Sequence, residues 1–339
     1  MRAARLHGAG DLRVDEEPVP AAGAGMSLVR VTAVGICGSD LHWWDEGAIG
    51  DAVLVHPLVL GHEGAGVIAE GPRQGERVAI DPAIACGTCR ACRDGYANLC
   101  YLIRFAGHGE TDGMLRELMP WPAHLLHPLP DEISDAAGAL LEPLGVALHA
   151  LDLGHVPFGG TVAVIGCGPI GLKFIRMLSR RGCRVIAVAR REIRLEAARK
   201  AGAAECINSV QVPDPVAAVR RLTENDRGAD AVVEAAGNAT TWHWALQMVR
   251  RGGVVNLFSG LPSGAMVEVE PAFIHYSEIK LISPFHHTPR FIREALEAIR
   301  RGDILARDFV AEEIRLEDLP QAFQKMKSRG GEIKLAVRP

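Results

Sequence analysis

A glycine-rich motif directly after an apolar run places the strongest constraint on how this chain can fold. Residues 162–165 are continuously apolar, as expected of a strand buried on both faces. The sequence Gly-Cys-Gly-Pro-Ile-Gly follows, and a helical pattern then runs to residue 181. Such a motif between a strand and a helix lets a pyrophosphate approach the helix N-terminus. The alternative interpretation is a glycine-rich turn that binds no ligand. We favour a dinucleotide site formed by Gly166, Gly168, Pro169, Ile170 and Gly171.

The alternation of strands and helices continues beyond this motif. Helical segments, such as residues 240–250, separate most of the further strands expected at residues 184–188, 206–208, 231–234, 253–258 and 280–282. This alternation predicts a doubly wound parallel sheet of the Rossmann type. With 339 residues, the chain has room for a second domain.

The first 80 residues have a different, β-rich pattern. Residues 28–34 alternate and are β-branched, and residues 65–70 and 77–80 are similar, with Gly and Pro between them. Many short strands with turn signals predict a small barrel-like domain. Near the other end, a helix at residues 291–301 and a last strand at residues 332–337 would complete this first domain.

Two stretches in the β-rich part carry side chains that ligate metals. Residues 35–42 read Gly-Ile-Cys-Gly-Ser-Asp-Leu-His, and residues 61–64 read Gly-His-Glu-Gly. Cysteine, histidine and glutamate together suit a catalytic zinc with one open position. The alternative is a buried structural cysteine in one stretch and a surface turn in the other.

Four cysteines follow within one short segment. Four thiolates at this density can enclose a tetrahedral zinc with no open position, which is a structural site. An iron–sulfur cluster is one alternative, but the bacterial ferredoxin run has a closer fourth cysteine followed by proline, and here Tyr101 follows. Four unrelated thiols are the other alternative. We predict a structural zinc bound by Cys86, Cys89, Cys92 and Cys100.

Glu142 interrupts an apolar segment, residues 136–151, that is helical by composition. Burying an ionised carboxylate without a partner costs several kcal/mol or forces its protonation, and a nearby zinc would remove that cost. Alternatively, Glu142 lies at a helix end that faces water, because Pro143 follows it.

The end of the second predicted strand of the doubly wound sheet bears on the cofactor. An acidic residue at this place binds the ribose hydroxyls of NAD. Here the residue is Ala189, followed by Arg190 and Arg191. A small uncharged residue leaves room for a 2′-phosphate, and two guanidinium groups can bind it. We therefore favour NADP; the alternative is NAD, with Glu192 taking the acidic role and both arginines solvated.

Charge and composition exclude several classes of function. The net charge of −4 gives no basic surface for nucleic acid, and aromatic residues make up only 5% of the chain. Residues 1–20 lack the apolar core of a signal peptide, and we find no uncharged run of membrane-spanning length. We expect a cytoplasmic protein with no membrane or nucleic-acid partner, in which the eight cysteines are metal ligands or buried thiols.

In their order, these segments resemble the zinc-dependent medium-chain dehydrogenase/reductase family from about residue 25 to the end. The sequence looks most like the polyol branch, the sorbitol and L-idonate dehydrogenases. The resemblance rests on the 35–42 stretch, Gly-Ala-Ile-Gly at 47–50, Pro-Leu-Val-Leu-Gly-His-Glu at 57–63, the four cysteines, Glu142-Pro143 and the glycine motif.

The resemblance implies both a fold and a site. It implies an α/β protein in which a Rossmann doubly wound coenzyme domain, residues 147–284, is inserted into a β-rich GroES-like catalytic domain, residues 1–146 and 285–339. It implies that Glu142 is either a fourth zinc ligand or a hydrogen-bond partner of a water on the metal, and that Ser39 and His42 form a proton relay. The catalytic zinc would be bound by Cys37, His62 and Glu63.

Two departures from the polyol branch make the substrate the least constrained part of the prediction. The branch has Phe-Arg-aromatic near the C-terminal return, and this chain has Phe-His-His at residues 285–287. The segment at residues 106–113 is also short. Polar side chains that would meet a substrate are Arg104, His108, His286 and His287, and Trp43 would wall the pocket unless it packs in the core.

The expected function is oxidation of a polyol or aldonate, similar to that of L-idonate 5-dehydrogenase, with zinc and NADP. An NAD-dependent sorbitol or xylitol dehydrogenase is the alternative within this class. A non-catalytic nucleotide-binding sensor is an alternative from another class. We also expect a homodimer or homotetramer, in which apolar strands at residues 256–269 pair across a two-fold axis.

Overall fold

The computed structural model describes residues 1–328 and 334–339. The chain divides into two compact units, of which the first comprises Met1–Gly145 and His287–Pro339 and the second Val146–His286. The boundaries expected from the sequence, at residues 146 and 285, lie within two residues of this division.

The first unit begins with short strands because its sequence supplies β-branched runs separated by glycine and proline. Up to residue 140 its elements are β1 (Arg2–Gly8), β2 (Asp11–Glu16), β3 (Met26–Gly35), α1 (Gly38–Glu46), β4 (Ala48–Ile49), β5 (Ala52–Val53), β6 (Leu58–Val59), β7 (Glu63–Glu70), β8 (Arg77–Ile80), β9 (Ala83–Ile84), α2 (Arg90–Arg93), β10 (Arg104–Phe105), β11 (Leu118–Pro122), β12 (Leu126–Pro128) and α3 (Asp135–Gly138).

Helix α4 (Leu141–Leu153) leads into the second unit. By length and composition alone, the segment Asp135–Leu153 would be able to cross a membrane. Within the structure, however, 83% of its most apolar window is buried, as is usual for the core helix of a soluble protein.

The second unit consists of strands and helices that alternate from β13 to β18. Its elements are β13 (Thr161–Ile165), α5 (Pro169–Arg180), β14 (Arg184–Ala189), α6 (Glu192–Ala201), β15 (Glu205–Asn208), α7 (Pro215–Arg221), β16 (Ala229–Glu234), α8 (Ala239–Met248), β17 (Val249–Leu257), α9 (Pro271–Ser277) and β18 (Lys280–Ile282).

The chain then returns to the first unit. There it forms α10 (Pro289–Arg300), α11 (Ala306–Phe309), β19 (Glu312–Arg315), α12 (Leu319–Lys327) and β20 (Leu335–Arg338). The expected last strand, residues 332–337, is observed as β20, and residues 332 and 333 lie outside the described residues.

The largest sheet of the first unit joins its two chain segments. The strand order is β12-β8-β7-β3-β20-β19, and β11 also pairs with β3. Strand β20 runs antiparallel to β3, so the C-terminal return completes the first domain as the sequence predicted. The strands expected at residues 28–34, 65–70 and 77–80 are confirmed as β3, β7 and β8.

The second unit is a six-stranded parallel sheet with the order β15-β14-β13-β16-β17-β18. Its strands β13, β14 and β16 are largely apolar and buried, as expected when helices cover both sides. The order reverses between β13 and β16, and ligands of doubly wound sheets bind at the carboxyl ends of the strands at this point. Strand β17 ends at Leu257 and has a partner strand on each side, and residues 258–269 form no strand. The expectation that apolar strands at residues 256–269 pair across a two-fold axis is therefore wrong.

Candidate active site

Pairing of β3 with β7 brings the two metal-candidate stretches together. The strands run antiparallel, and Gly35 at the end of β3 lies opposite Glu63 at the start of β7. Cys37 follows β3 and is the N-cap residue of α1. One ligand atom from each of Cys37, His62 and Glu63 can be chosen so that all lie within 4.8 Å of one another. The two stretches therefore form one group of sulfur, nitrogen and oxygen donors.

Asp40 connects both stretches, although no role for it was predicted. Its carboxylate accepts hydrogen bonds from the backbone N–H groups of Cys37, at 2.8 Å, and Gly61, at 3.0 Å. The same carboxylate lies 3.6 Å from Nδ1 of His62. Carboxylates placed behind a histidine in this way fix the ring and raise its basicity as a metal ligand.

The electrostatics of the group favour a bound cation. Burial lowers the pKa of His62, but the charges of Asp40, Cys37 and Glu142 outweigh it and raise this pKa well above its ordinary value. Burial in turn raises the pKa of Asp40. A buried set of anionic groups around a histidine, with cysteine, histidine and carboxylate donors, fits zinc.

Lys334 was missed by the sequence analysis and belongs to this group. Its Nζ lies 2.5 Å from Oε2 of Glu63 and donates a hydrogen bond to the carbonyl of Ile36 at 3.1 Å. Burial lowers the pKa of Lys334, but the charges of Glu63 and Cys37 outweigh this and hold the pKa above its ordinary value. One signal was available, because a lysine immediately precedes the apolar run of the last strand.

Glu142 is buried in the first turn of α4, with 6% of its surface exposed. The alternative in which this carboxylate faces water is therefore wrong. Its charge raises the pKa values of both His62 and Lys334, so it lies close to the metal-candidate group.

Ser39 and His42 lie on α1 at different distances from the group. Oγ of Ser39 is 3.5 Å from Nε2 of His62. The side chain of His42 is 63% exposed, and its Nδ1 is 3.0 Å from Oε1 of Glu46. Ser39 is thus adjacent to the metal donors, while His42 faces solvent.

The four cysteines of the second predicted zinc site converge around α2. Their sulfurs are close: that of Cys89 lies 3.5 Å from Cys92 and 3.9 Å from Cys100, and those of Cys86 and Cys92 are 4.0 Å apart. Backbone N–H groups of Thr88 and Cys89 donate to the Cys86 sulfur and lower the pKa of this thiol to about 6. A sulfur stabilised as thiolate is what a zinc site requires.

The residues considered for substrate contact have different surroundings. Trp43 is 1% exposed and packs edge-on against His108 in the hydrophobic core. Of the two places predicted for Trp43, the core is therefore the one observed. Arg104 is exposed on β10. The carbonyl of His286 accepts a hydrogen bond from His149 at 2.7 Å. His287 is buried, with Nε2 3.7 Å from Oδ1 of Asp81.

The glycine motif in the second unit is required by close backbone contacts. Gly166 has φ +96°, and a Cβ on it would lie 2.6 Å from the carbonyl oxygen of Ala235. A Cβ on Gly171 would lie 1.8 Å from the carbonyl oxygen of Gly166. Gly168 is the N-cap residue of α5, and Pro169 is its first residue. The helix N-terminus is therefore open to a pyrophosphate at the point where the strand order reverses.

Glu234 is a further residue that the sequence analysis did not single out. It is fully buried at the end of β16, and its Oε1 accepts from the backbone of Ala236 at 2.8 Å and Gly237 at 2.9 Å. The hydroxyl of Thr241 donates to the same oxygen at 2.8 Å. Glu234 thus fixes the loop on which Gly166 packs.

At the end of β14, two arginines stand without partners. The guanidinium groups of Arg190 and Arg191 make no hydrogen bond or ion pair within residues 1–328 and 334–339. Glu192, the alternative acidic residue, is paired with Arg199 at 2.9 Å. Two free cationic groups beside the small Ala189 are compatible with a phosphate.

Comparison with family models assigns both halves of the chain. Residues 23–131 match the alcohol dehydrogenase GroES-like domain, and residues 169–301 match the zinc-binding dehydrogenase domain.

Whole-length relatives agree with this assignment. The chain is 34% identical to a sorbitol dehydrogenase of Bacillus subtilis, over 100% of this chain and 97% of that protein. A zinc-binding dehydrogenase of Sinorhizobium meliloti, in a structure bound to NADP, superposes with a TM-score of 0.92 and is 30% identical, over 100% of this chain and 99% of that chain. L-idonate 5-dehydrogenase of Escherichia coli superposes with a TM-score of 0.91 at 26% identity, over 100% and 98% of the two chains.

None of these relatives favours the sensor alternative, since each is a dehydrogenase. The cofactors that accompany this assignment are zinc and NAD(P). The chain belongs to the zinc-dependent medium-chain dehydrogenase/reductase family, in its polyol branch.

Proposed function

We propose that this protein oxidises a secondary alcohol of a polyol or an aldonate, in the manner of L-idonate 5-dehydrogenase, and prefers NADP. The observation that carries the proposal is the group formed by Cys37, His62 and Glu63, whose ligand atoms lie within 4.8 Å of one another. Three protein donors of these types suit a zinc ion with one position left for a substrate oxygen.

The residues have separate roles in this scheme. Cys37, His62 and Glu63 would hold the catalytic zinc, which when bound supplies the Lewis acidity that stabilises an alkoxide at neutral pH. Ser39, beside His62, would accept the hydroxyl proton, and the exposed His42 would release it to solvent. Glu142 would act on the site as a fourth ligand or through water. The structural zinc would be bound by Cys86, Cys89, Cys92 and Cys100.

The preference for NADP is supported by the end of β14. Ala189 has no carboxylate that would repel a 2′-phosphate, and Arg190 and Arg191 have no competing partner within the described part of the chain. Glu192, which would have to bind the ribose of NAD, is engaged by Arg199. The structural neighbour from Sinorhizobium meliloti is bound to NADP.

The alternative function is oxidation of sorbitol or xylitol with NAD as the cofactor. It is favoured by the likeness to a sorbitol dehydrogenase. The aldonate proposal is supported by the likeness to L-idonate 5-dehydrogenase.

We infer further that the protein is a homodimer or homotetramer. Supporting this, the apolar side chains of Met266, Tyr276 and Leu281 are exposed, at 87%, 79% and 39%. Sedimentation of the wild type and of Tyr276→Glu tests this, since a monomeric wild type would refute it.

A grid of NAD and NADP against sorbitol, xylitol, L-idonate and D-gluconate tests the proposed activity. We expect reduction of NADP with an aldonate. Reduction of NAD with sorbitol would establish the alternative. Ser39→Ala should lose turnover while its dissociation constant for the cofactor stays unchanged, whereas retained turnover would remove Ser39 from the scheme.

A further inference from the structure

A buried ammonium group contacts the candidate zinc site from the far end of the chain. Nζ of Lys334 lies 2.5 Å from Oε2 of Glu63, and both side chains are almost fully buried, at 2% and 1% exposure. The same nitrogen donates a hydrogen bond of 3.1 Å to the carbonyl of Ile36, next to Cys37. A lysine is almost never buried to this degree without a paired charge, so this contact is a built feature of the site.

The backbone is shaped to admit the pair. A Cβ at Gly35 would lie 2.4 Å from Oε2 of Glu63 and 2.8 Å from Cε of Lys334. Gly35 pairs with Ala336 of β20 on one side and with Glu63 on the other. The absence of a side chain at this position therefore creates the space in which the ammonium reaches the carboxylate.

The position of the lysine decides which carboxylate oxygen a metal would meet. A glutamate can bind zinc through one oxygen or through both. Oε2 of Glu63 is held by the ammonium, so a zinc ion beside Cys37 and His62 would meet Oε1. We propose that Lys334 is a positioning residue that restricts Glu63 to one metal-ligating oxygen and offsets part of the negative charge around the zinc. This inference rests on the proposed zinc site.

The charges around the site determine whether removing Lys334 strengthens or weakens zinc binding. Cys37, Asp40 and Glu142 act as anions on His62, and Glu63 adds another. Zinc binds to a site that already contains one cation, which repels it. Removing the ammonium would leave Glu63 free to bind with both oxygens and would strengthen zinc binding. If Lys334 only filled space, its removal would loosen Glu63 and weaken zinc binding.

The rate of zinc release from the holoenzyme distinguishes stronger from weaker zinc binding after removal of the ammonium. We would measure transfer of zinc to a chromogenic chelator for wild type, Lys334→Met and Lys334→Arg, with Lys327→Met as a control for an exposed lysine. The proposal predicts that Lys334→Met releases the catalytic zinc on the order of tenfold more slowly, that Lys334→Arg stays close to wild type, and that Lys327→Met is unchanged. Faster release from Lys334→Met would overturn it.

A crystal structure of the zinc-loaded wild type tests the proposal even if Lys334→Met does not fold. We expect one Glu63 oxygen at about 2.0–2.2 Å from zinc and the other on Lys334. If both Glu63 oxygens bound zinc and the lysine were displaced, the role of Lys334 would be refuted but the proposed function would not. A wild-type protein with zinc only at the four cysteines would instead refute the proposed function together with this inference.

Discussion

The carboxylate of Asp40 lies 3.6 Å from Nδ1 of His62, on the side of the ring opposite the Nε2 that faces Ser39. Because Asp40 also accepts from the backbone of Cys37 and Gly61, one buried side chain positions ligands from both stretches. This explains why an aspartate occupies a fully buried position in the first turn of α1.

Asp40→Asn should weaken the catalytic zinc site without unfolding the domain. An amide cannot replace the negative charge behind His62, and loss of such a partner typically lowers metal affinity by about 10–100-fold. Zinc content after dialysis against a mild chelator measures this, with the exposed Asp45→Asn on the same helix as the control. Equal zinc retention in both variants would count against the role of Asp40.

Gly35→Ala should disable the site through crowding. The added methyl would overlap Oε2 of Glu63 and Cε of Lys334, and such overpacking costs about 1–3 kcal/mol. We expect lower catalytic zinc content and at least about tenfold lower activity. Gly38→Ala is the matched control, because a Cβ there meets nothing within 4 Å. Similar behaviour of the two variants would contradict the packing argument.

Ala189→Asp should shift the cofactor preference from NADP towards NAD. A carboxylate near a 2′-phosphate repels it by about 1–4 kcal/mol, which would lower kcat/KM for NADP by about tenfold or more. An aspartate can also bind the ribose hydroxyls of NAD. The same substitution at the exposed Ala204 controls for added charge. An unchanged NADP to NAD ratio would show that β14 does not set the preference.

Asp81 should make part of the stability depend on pH. Burial raises the pKa of Asp81 to about 6, above its ordinary value near 3.8. The folded protein then holds a proton that the unfolded chain releases between pH 4 and 6, so the cost of ionising Asp81 is fully present above about pH 6 and is relieved as pH falls.

Asp81→Asn removes this cost. Its melting temperature relative to wild type should therefore rise between about pH 5 and 7.5, by the equivalent of about 1–2 kcal/mol. Asp131→Asn, at an exposed position, should show no such trend. A constant difference between Asp81→Asn and wild type across this range would mean that Asp81 titrates normally.

Local patterns were sufficient to predict the second unit. Each strand and its following helix are neighbours in the sequence, so the apolar runs and the glycine motif give the alternation directly. The donors Cys37, His62 and Glu63 were likewise identifiable, because their short stretches are dense in metal-ligating side chains.

Contacts between distant segments were not predictable from those patterns. Lys334 meets Ile36 across 298 positions of sequence, through a pairing of β20 with β3 that no local signal specifies. The structural role of Asp40 likewise depends on the register that places Gly35 opposite Glu63. The prediction for residues 256–269 failed because only residues 256 and 257 belong to a strand, which is internal to the sheet, and the residues after them form none.

Zinc content measured together with turnover in Cys37→Ala tests whether Cys37, His62 and Glu63 hold a zinc ion that activity requires. We expect this variant to lose one zinc ion per chain and its turnover, while it still binds the cofactor and keeps the zinc of the four cysteines. Cys206→Ala, outside both groups, should match wild type. Full zinc content with full activity in Cys37→Ala would contradict the account.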